Sequence, residues 1–85
     1  MAERTVSITL QTADRTRMAR LTVPRDMRVS DVVKTALRRW SLRLGVHYQV
    51  ANLTTGRQLL GQDRLDGELV NDNDILVLQP MPTHG

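Results

Sequence analysis

The chain has no cysteine, no phenylalanine and a single lysine, and each scarcity closes off a chemistry. Without thiols there is no disulfide, no thiolate metal site and no cysteine nucleophile. Aromatic residues are limited to Trp40 and Tyr48, so a core has to be assembled from Leu, Val, Ile, Ala and Met. No apolar run approaches the length that crosses a bilayer. The opening stretch MAERTVSITL lacks the continuous apolar segment of a signal peptide. A cytoplasmic protein without membrane attachment is therefore expected. With 85 residues, there is room for one hydrophobic core and not two.

What the chain does have is arginine. Eleven arginines and Lys34 stand against nine acids, for a formal net charge of +3. Such a surface makes bidentate contacts with carboxylates and phosphates but offers almost no primary amines. Arg38, Arg39 and Arg43 form a basic run that reads as a solvated helix face. Nucleic-acid binding is not expected, because no recognition motif and no set of stacking aromatics accompanies the charge.

Residues 5–11, TVSITLQ, alternate, with Val6, Ile8 and Leu10 on one face, which marks a half-buried strand. RMARLTV repeats the pattern with Ala19, Leu21 and Val23 inward, after the polar turn TADRT, so the two form a hairpin that Pro24 ends. The period then changes. In VSDVVKTALRRWSLRL, residues Val33, Ala36, Leu37, Trp40 and Leu44 follow helical spacing. Ser30 is the N-cap candidate, Asp31 sits in the first turn, and Gly45 is the C-cap candidate. HYQVANL predicts a third strand with Tyr48 and Val50 inward, Gly56 a turn, and QLL a short fourth strand. Leu65 and Val70 anchor a long loop, and ILVLQ, apolar on both faces, predicts a central last strand. Strand, strand, helix, strand, short strand, strand amounts to an α+β sheet with a helix across one face.

This order resembles the β-grasp of ubiquitin-like proteins, and local stretches support the likeness. In TGRQLLGQDRL a turn glycine, Gly56, precedes Arg57, Gln58 and Leu59, and Leu65 follows six positions later, as in ubiquitin. LVNDNDILVL is similar to the family's closing segment: an apolar anchor at Val70, a polar turn, then a strand with Leu76 and Leu78 inward. VPRDMRVSDVVKTAL resembles the family's passage from second strand to helix. The resemblance implies a mixed four- to five-stranded sheet with one helix, a domain over residues 1–79, and a flexible extended tail over residues 80–85. It also implies a protein modifier; the arginine-rich composition and the divergence from ubiquitin suggest a prokaryotic one, and an enzyme is not expected, since no Ser-His-Asp arrangement is present and one helix on a small sheet leaves little room for an active cleft. Gly85 would be adenylated by an activating enzyme that consumes ATP, passed to a thiol and joined to an amine of a target protein. The chain itself would need no cofactor and no metal. Its partners would be activating and conjugating enzymes, a deconjugating metalloprotease and the targets.

The tail, Pro80, Met81, Pro82, Thr83, His84 and Gly85, departs from ubiquitin's basic, double-glycine ending. Two prolines favour an extended course, and glycine offers an unhindered carbonyl. A single terminal glycine argues against sulfur carriage, since the β-grasp sulfur carriers end in two. The open sheet face carries a second candidate site, Ala51 or Leu53 beside Ile75 and Val77, where exposed apolar side chains would dock partners. That face is the whole function in the alternative reading, a non-covalent module similar to the small ubiquitin-like proteins of bacterial type VII secretion systems. Lys34, the only side-chain amine, is the one internal acceptor for self-linkage. His47 and His84 are too few for a metal site, and Asp72 and Asp74 are expected as turn residues and not as calcium ligands.

Overall fold

A computed structural model describes residues 4–42, 47–66 and 68–81. Five strands and one helix follow in the expected order: β1 (Thr5–Thr12), β2 (Met18–Pro24), α1 (Val29–Arg39), β3 (Tyr48–Asn52), β4 (Arg57–Leu59) and β5 (Asp74–Pro80). They form one sheet in the order β2-β1-β5-β3-β4. β1 and β5 run parallel; the β1–β2, β3–β4 and β3–β5 pairs are antiparallel. This is the ubiquitin-like β-grasp, and β5 is its central strand.

Alternation decides the faces. Val6, Ile8 and Leu10 of β1, Val50 of β3, Leu59 of β4 and Leu76 and Leu78 of β5 are buried together with Val29, Val32 and Ala36 of α1. Leu65 and Val70, the loop anchors, are completely buried in the same core. Both aromatics stand at its rim: Trp40 and Tyr48 pack against the core and remain half-buried.

The helix differs from expectation at both ends and in its facing. Its buried stripe is Val29, Val32 and Ala36, whereas Val33, Leu37 and Trp40 are half-buried. Arg28 occupies the N-cap without a side-chain cap, so Ser30 is not the cap but lies inside the first turn. The amides of the first turn are satisfied from elsewhere: Val29 N–H donates to the Asp63 carbonyl at 2.8 Å and Ser30 N–H to the Gly61 carbonyl at 2.9 Å. A loop thirty residues downstream thus supplies the acceptors that a helix start lacks, which relieves the sequence of any need for a capping side chain. At the other end α1 stops at Arg39. Ser41 takes a left-handed φ of 50°, and Leu42 N–H donates back to the Leu37 carbonyl at 3.0 Å, a Schellman-type termination. Gly45 and Leu44 lie outside the described residues.

A buried polar cluster ties the far end of β3 to the start of β5. Asn52 continues the inward parity of Tyr48 and Val50 and is wholly buried. Its Nδ2 donates to Asp74 Oδ2 at 2.8 Å and to the Leu69 carbonyl at 3.0 Å. Its Oδ1 accepts from Thr54 N–H at 3.0 Å. Asp74 Oδ2 also accepts from Asn71 N–H, and Asp72 Oδ1 accepts from Ser7 N–H. Both aspartates serve the turn.

Candidate interaction face and chain exit

The face of the sheet away from α1 carries the outward residues of each strand. Register aligns them in rows: Met18, Gln11, Val77, Ala51 and Gln58 in one, Arg20, Thr9 and Ile75 in the next. Leu53, just past β3, joins the second row through its N–H to the Ile75 carbonyl at 2.8 Å, while Ile75 N–H donates to Thr54 Oγ1 at 3.0 Å. The four expected face residues therefore do meet, but they are not equivalent. Leu53 is 50% and Ile75 37% exposed, Ala51 is half-buried and Val77 is only 4% exposed. Val77 lies between Gln11, itself buried, and Ala51, so it packs beneath the face and leaves little surface open. Alternation assigns a side chain to a face; it does not say whether neighbours cover it. Met18, 61% exposed on β2, belongs to the same face and is one of the outward residues of the alternating run, though the apolar-patch expectation omitted it.

β5 carries the chain out of the fold later than expected. Pro80 is the last residue of the strand and pairs with Tyr48, not the first residue of a tail. Met81 is exposed, yet its N–H still donates to the His47 carbonyl at 2.7 Å. The expectations for Pro82, Thr83, His84 and Gly85 fall outside the described residues.

Lys34 is exposed on α1, at the side of a groove of about 260 Å3 that Val33, Leu37, Tyr48 and Leu59 also line. His47 is exposed. Among the described residues no three His, Asp or Glu side chains gather as a metal site would require, and no helix is long and apolar enough to cross a membrane. Among the described residues one ionisable group is clearly perturbed. Asp14, in the β1–β2 turn, has its carboxyl lowered from 3.8 to about 2, first by the Thr16 N–H and then by the hydroxyls of Thr12 and Thr16. All three donate to Oδ1, at 3.0, 2.7 and 2.7 Å.

No protein-family model and no curated protein sequence matches the chain. Solved structures do. A ubiquitin of Caldiarchaeum subterraneum superposes with a TM-score of 0.74 at 21% identity, over 95% of this chain and 99% of that one. A de novo protein designed on the basis of ubiquitin gives 0.76 at 16% identity, over 99% of each chain. The C-terminal ubiquitin-like domain of mouse tubulin-specific chaperone e gives 0.71 at 14% identity, over 100% of this chain and 96% of that one. Likeness at these identities establishes the ubiquitin-like fold and nothing finer.

Proposed function

We propose that the chain is a ubiquitin-like protein modifier, activated at the carboxylate of Gly85 and joined to amines of target proteins. What supports this most is the way β5 ends. The central strand keeps its pairing to Pro80, and among the described residues its last backbone hydrogen bond is at Met81. Residues 82–85 then add at most about 14 Å of reach, ending on a residue without Cβ. The reading requires the Gly85 carboxylate to be free, either encoded so or exposed by cleavage.

A carboxylate oxygen attacks the α-phosphorus of ATP in the activating enzyme and pyrophosphate leaves. A partner thiolate displaces AMP from the acyl adenylate. A target amine then displaces the thiolate and loses its proton to solvent. This chain's side chains take no part; it supplies an unhindered acyl group and a surface to hold. Self-linkage is restricted to Lys34 or the N-terminal amine.

The test is ATP–pyrophosphate exchange with the activating enzyme of the source organism. Deleting Gly85 abolishes exchange and leaves the melting curve unchanged; full exchange by the deletion variant overturns the reading. Conjugates have a recognisable mark. No Lys or Arg follows Arg64, so trypsin leaves residues 65–85 as a branch on the modified amine.

A second reading, the non-covalent module, draws on the exposed Leu53, Ile75 and Met18. In that case Ile75→Asp abolishes capture of partners while Gly85 is dispensable.

A further inference from the structure

The β1–β2 turn, the segment after α1 and the ends of β3 and β5 meet at one pole, the pole where the chain leaves the sheet. Ala13 N–H donates to the Leu78 carbonyl at 3.0 Å, and Tyr48 pairs with Pro80. Between these elements lies a cavity of about 200 Å3 walled by Leu42, Tyr48, Leu78 and Pro80, with Thr12 and Asp14 at its lip. That volume is below the roughly 300–1,000 Å3 of small-molecule sites; it suits a single inserted side chain.

Exposed arginines lie on the two segments that border it, the β1–β2 turn and the end of α1. Arg15 and Arg17 project from the turn, Arg15 from a left-handed position at φ 63°. Arg38 and Arg39 stand exposed on the helical turn before Leu42. The one acid among them, Asp14, is committed to Thr12 and Thr16 within its own turn. The opposite pole is different. There Arg4, Arg25, Arg28 and Arg64 share their surroundings with Asp26, Asp63, Asp66, Glu68 and Asp72. Among the described residues, four arginines stand with one acid at the exit pole, whereas at the other pole, where Arg20 also reaches Asn73 beside Asp72 and Asp31 opens the helix, arginines and acids are mixed. Among the described residues, the local excess of positive over negative charge is therefore at the exit pole.

We propose that this pole docks an acidic segment of a partner protein, with one apolar side chain seated in the cavity and flanking Asp or Glu carboxylates on Arg15, Arg17, Arg38 and Arg39. Guanidinium forks match carboxylates in pairs of hydrogen bonds. Arginines on two segments beside an apolar hole fit a ligand that alternates charge and side-chain bulk, not a point anion. Nucleic acid fits less well, because base stacking needs open aromatic faces and the cavity's one aromatic, Tyr48, is half-buried. Docking here requires no chemistry at Gly85.

The test titrates the acetylated peptide DEDLEDE into the isotope-labelled full chain and follows amide shifts. Changes are expected at residues 12–17, 38–42 and 80–81, and binding weakens severalfold between about 50 and about 300 mM salt. The peptide DEDGEDE, which has nothing to insert, binds more weakly. Arg38→Ser/Arg39→Ser, on an exposed helix surface, reduces affinity roughly tenfold, and adding Arg15→Ser/Arg17→Ser removes it. Arg4→Ser/Arg28→Ser at the opposite pole leaves it unchanged, as does deletion of Gly85, so failure of the modifier chemistry and failure of this site are separable. Shifts confined to the open sheet face, equal loss in the Arg4/Arg28 variant, or tighter binding of an oligo-dT strand than of DEDLEDE overturns the proposal.

Discussion

Asp14 and Asn52 are both polar residues whose hydrogen bonds are filled by neighbours, and they fail differently. Asp14 is exposed, and its three donors favour the carboxylate over the acid. Its folded value, about 2, lies below the ordinary 3.8. The stabilisation is therefore complete above the unfolded value and is lost as pH falls from about 4 through about 2. Asp14→Asn should melt below the parent near neutral pH, and the gap should close across that acid window. A gap independent of pH would mean that the three donors do not discriminate the carboxylate from the acid. Asn52 is buried, with both amide hydrogens and its oxygen engaged. Asn52→Ala removes two donors at once and leaves Asp74 Oδ2 and the Leu69 carbonyl short of partners in the interior. A loss of about 2–4 kcal/mol in denaturant unfolding is expected. A loss under about 0.5 kcal/mol would show that water replaces the amide at no cost.

At the scale of elements, the helix separates what local pattern conveys from what distant contacts decide. The strand faces and the existence of α1 were legible because alternation and helical spacing are properties of adjacent residues. The helix faces about one position away from the stripe that its spacing predicts, since Val29 and Val32 are buried where Val33 and Trp40 are expected. Val32→Ala should cost about 2 kcal/mol because Val32 is fully buried. Leu37→Ala removes more carbon but should cost only about 1 kcal/mol, since Leu37 is half-buried. The opposite ranking in chemical denaturation would restore the original facing. The helix start was not legible, because its acceptors at Gly61 and Asp63 are remote in sequence. The helix end was hidden for another reason: Ser41 holds a left-handed turn without being glycine or asparagine. Ser41→Gly should therefore raise stability by up to about 1 kcal/mol. No gain in melting temperature would mean that the serine side chain offsets its backbone strain.

At the scale of the whole molecule, β5 keeps its pairing to Pro80, and the last backbone hydrogen bond among the described residues falls at Met81. The sequence placed the boundary of the fold at Pro80, where the apolar run stops and a residue without N–H appears. Proline still completes β5, because a strand's last residue can pair through its geometry and carbonyl without donating. The same logic hid the exit-pole cavity: its walls come from four separate segments, none of which forms a motif alone. A truncation series measures the boundary directly. Removing residues 82–85 leaves the Tyr48–Pro80 pairing and the Met81 bond to His47 in place, and under the modifier reading the unfolding midpoint stays where it is. Removing residues 81–85 deletes the Met81 N–H bond to the His47 carbonyl and should cost about 1 kcal/mol. Removing residues 80–85 also exposes the cavity wall at Leu78 and Tyr48 and should cost more again. A midpoint that already falls with the first truncation would make the last four residues part of the fold, and a tail held there would not be free to carry an acyl group into an enzyme.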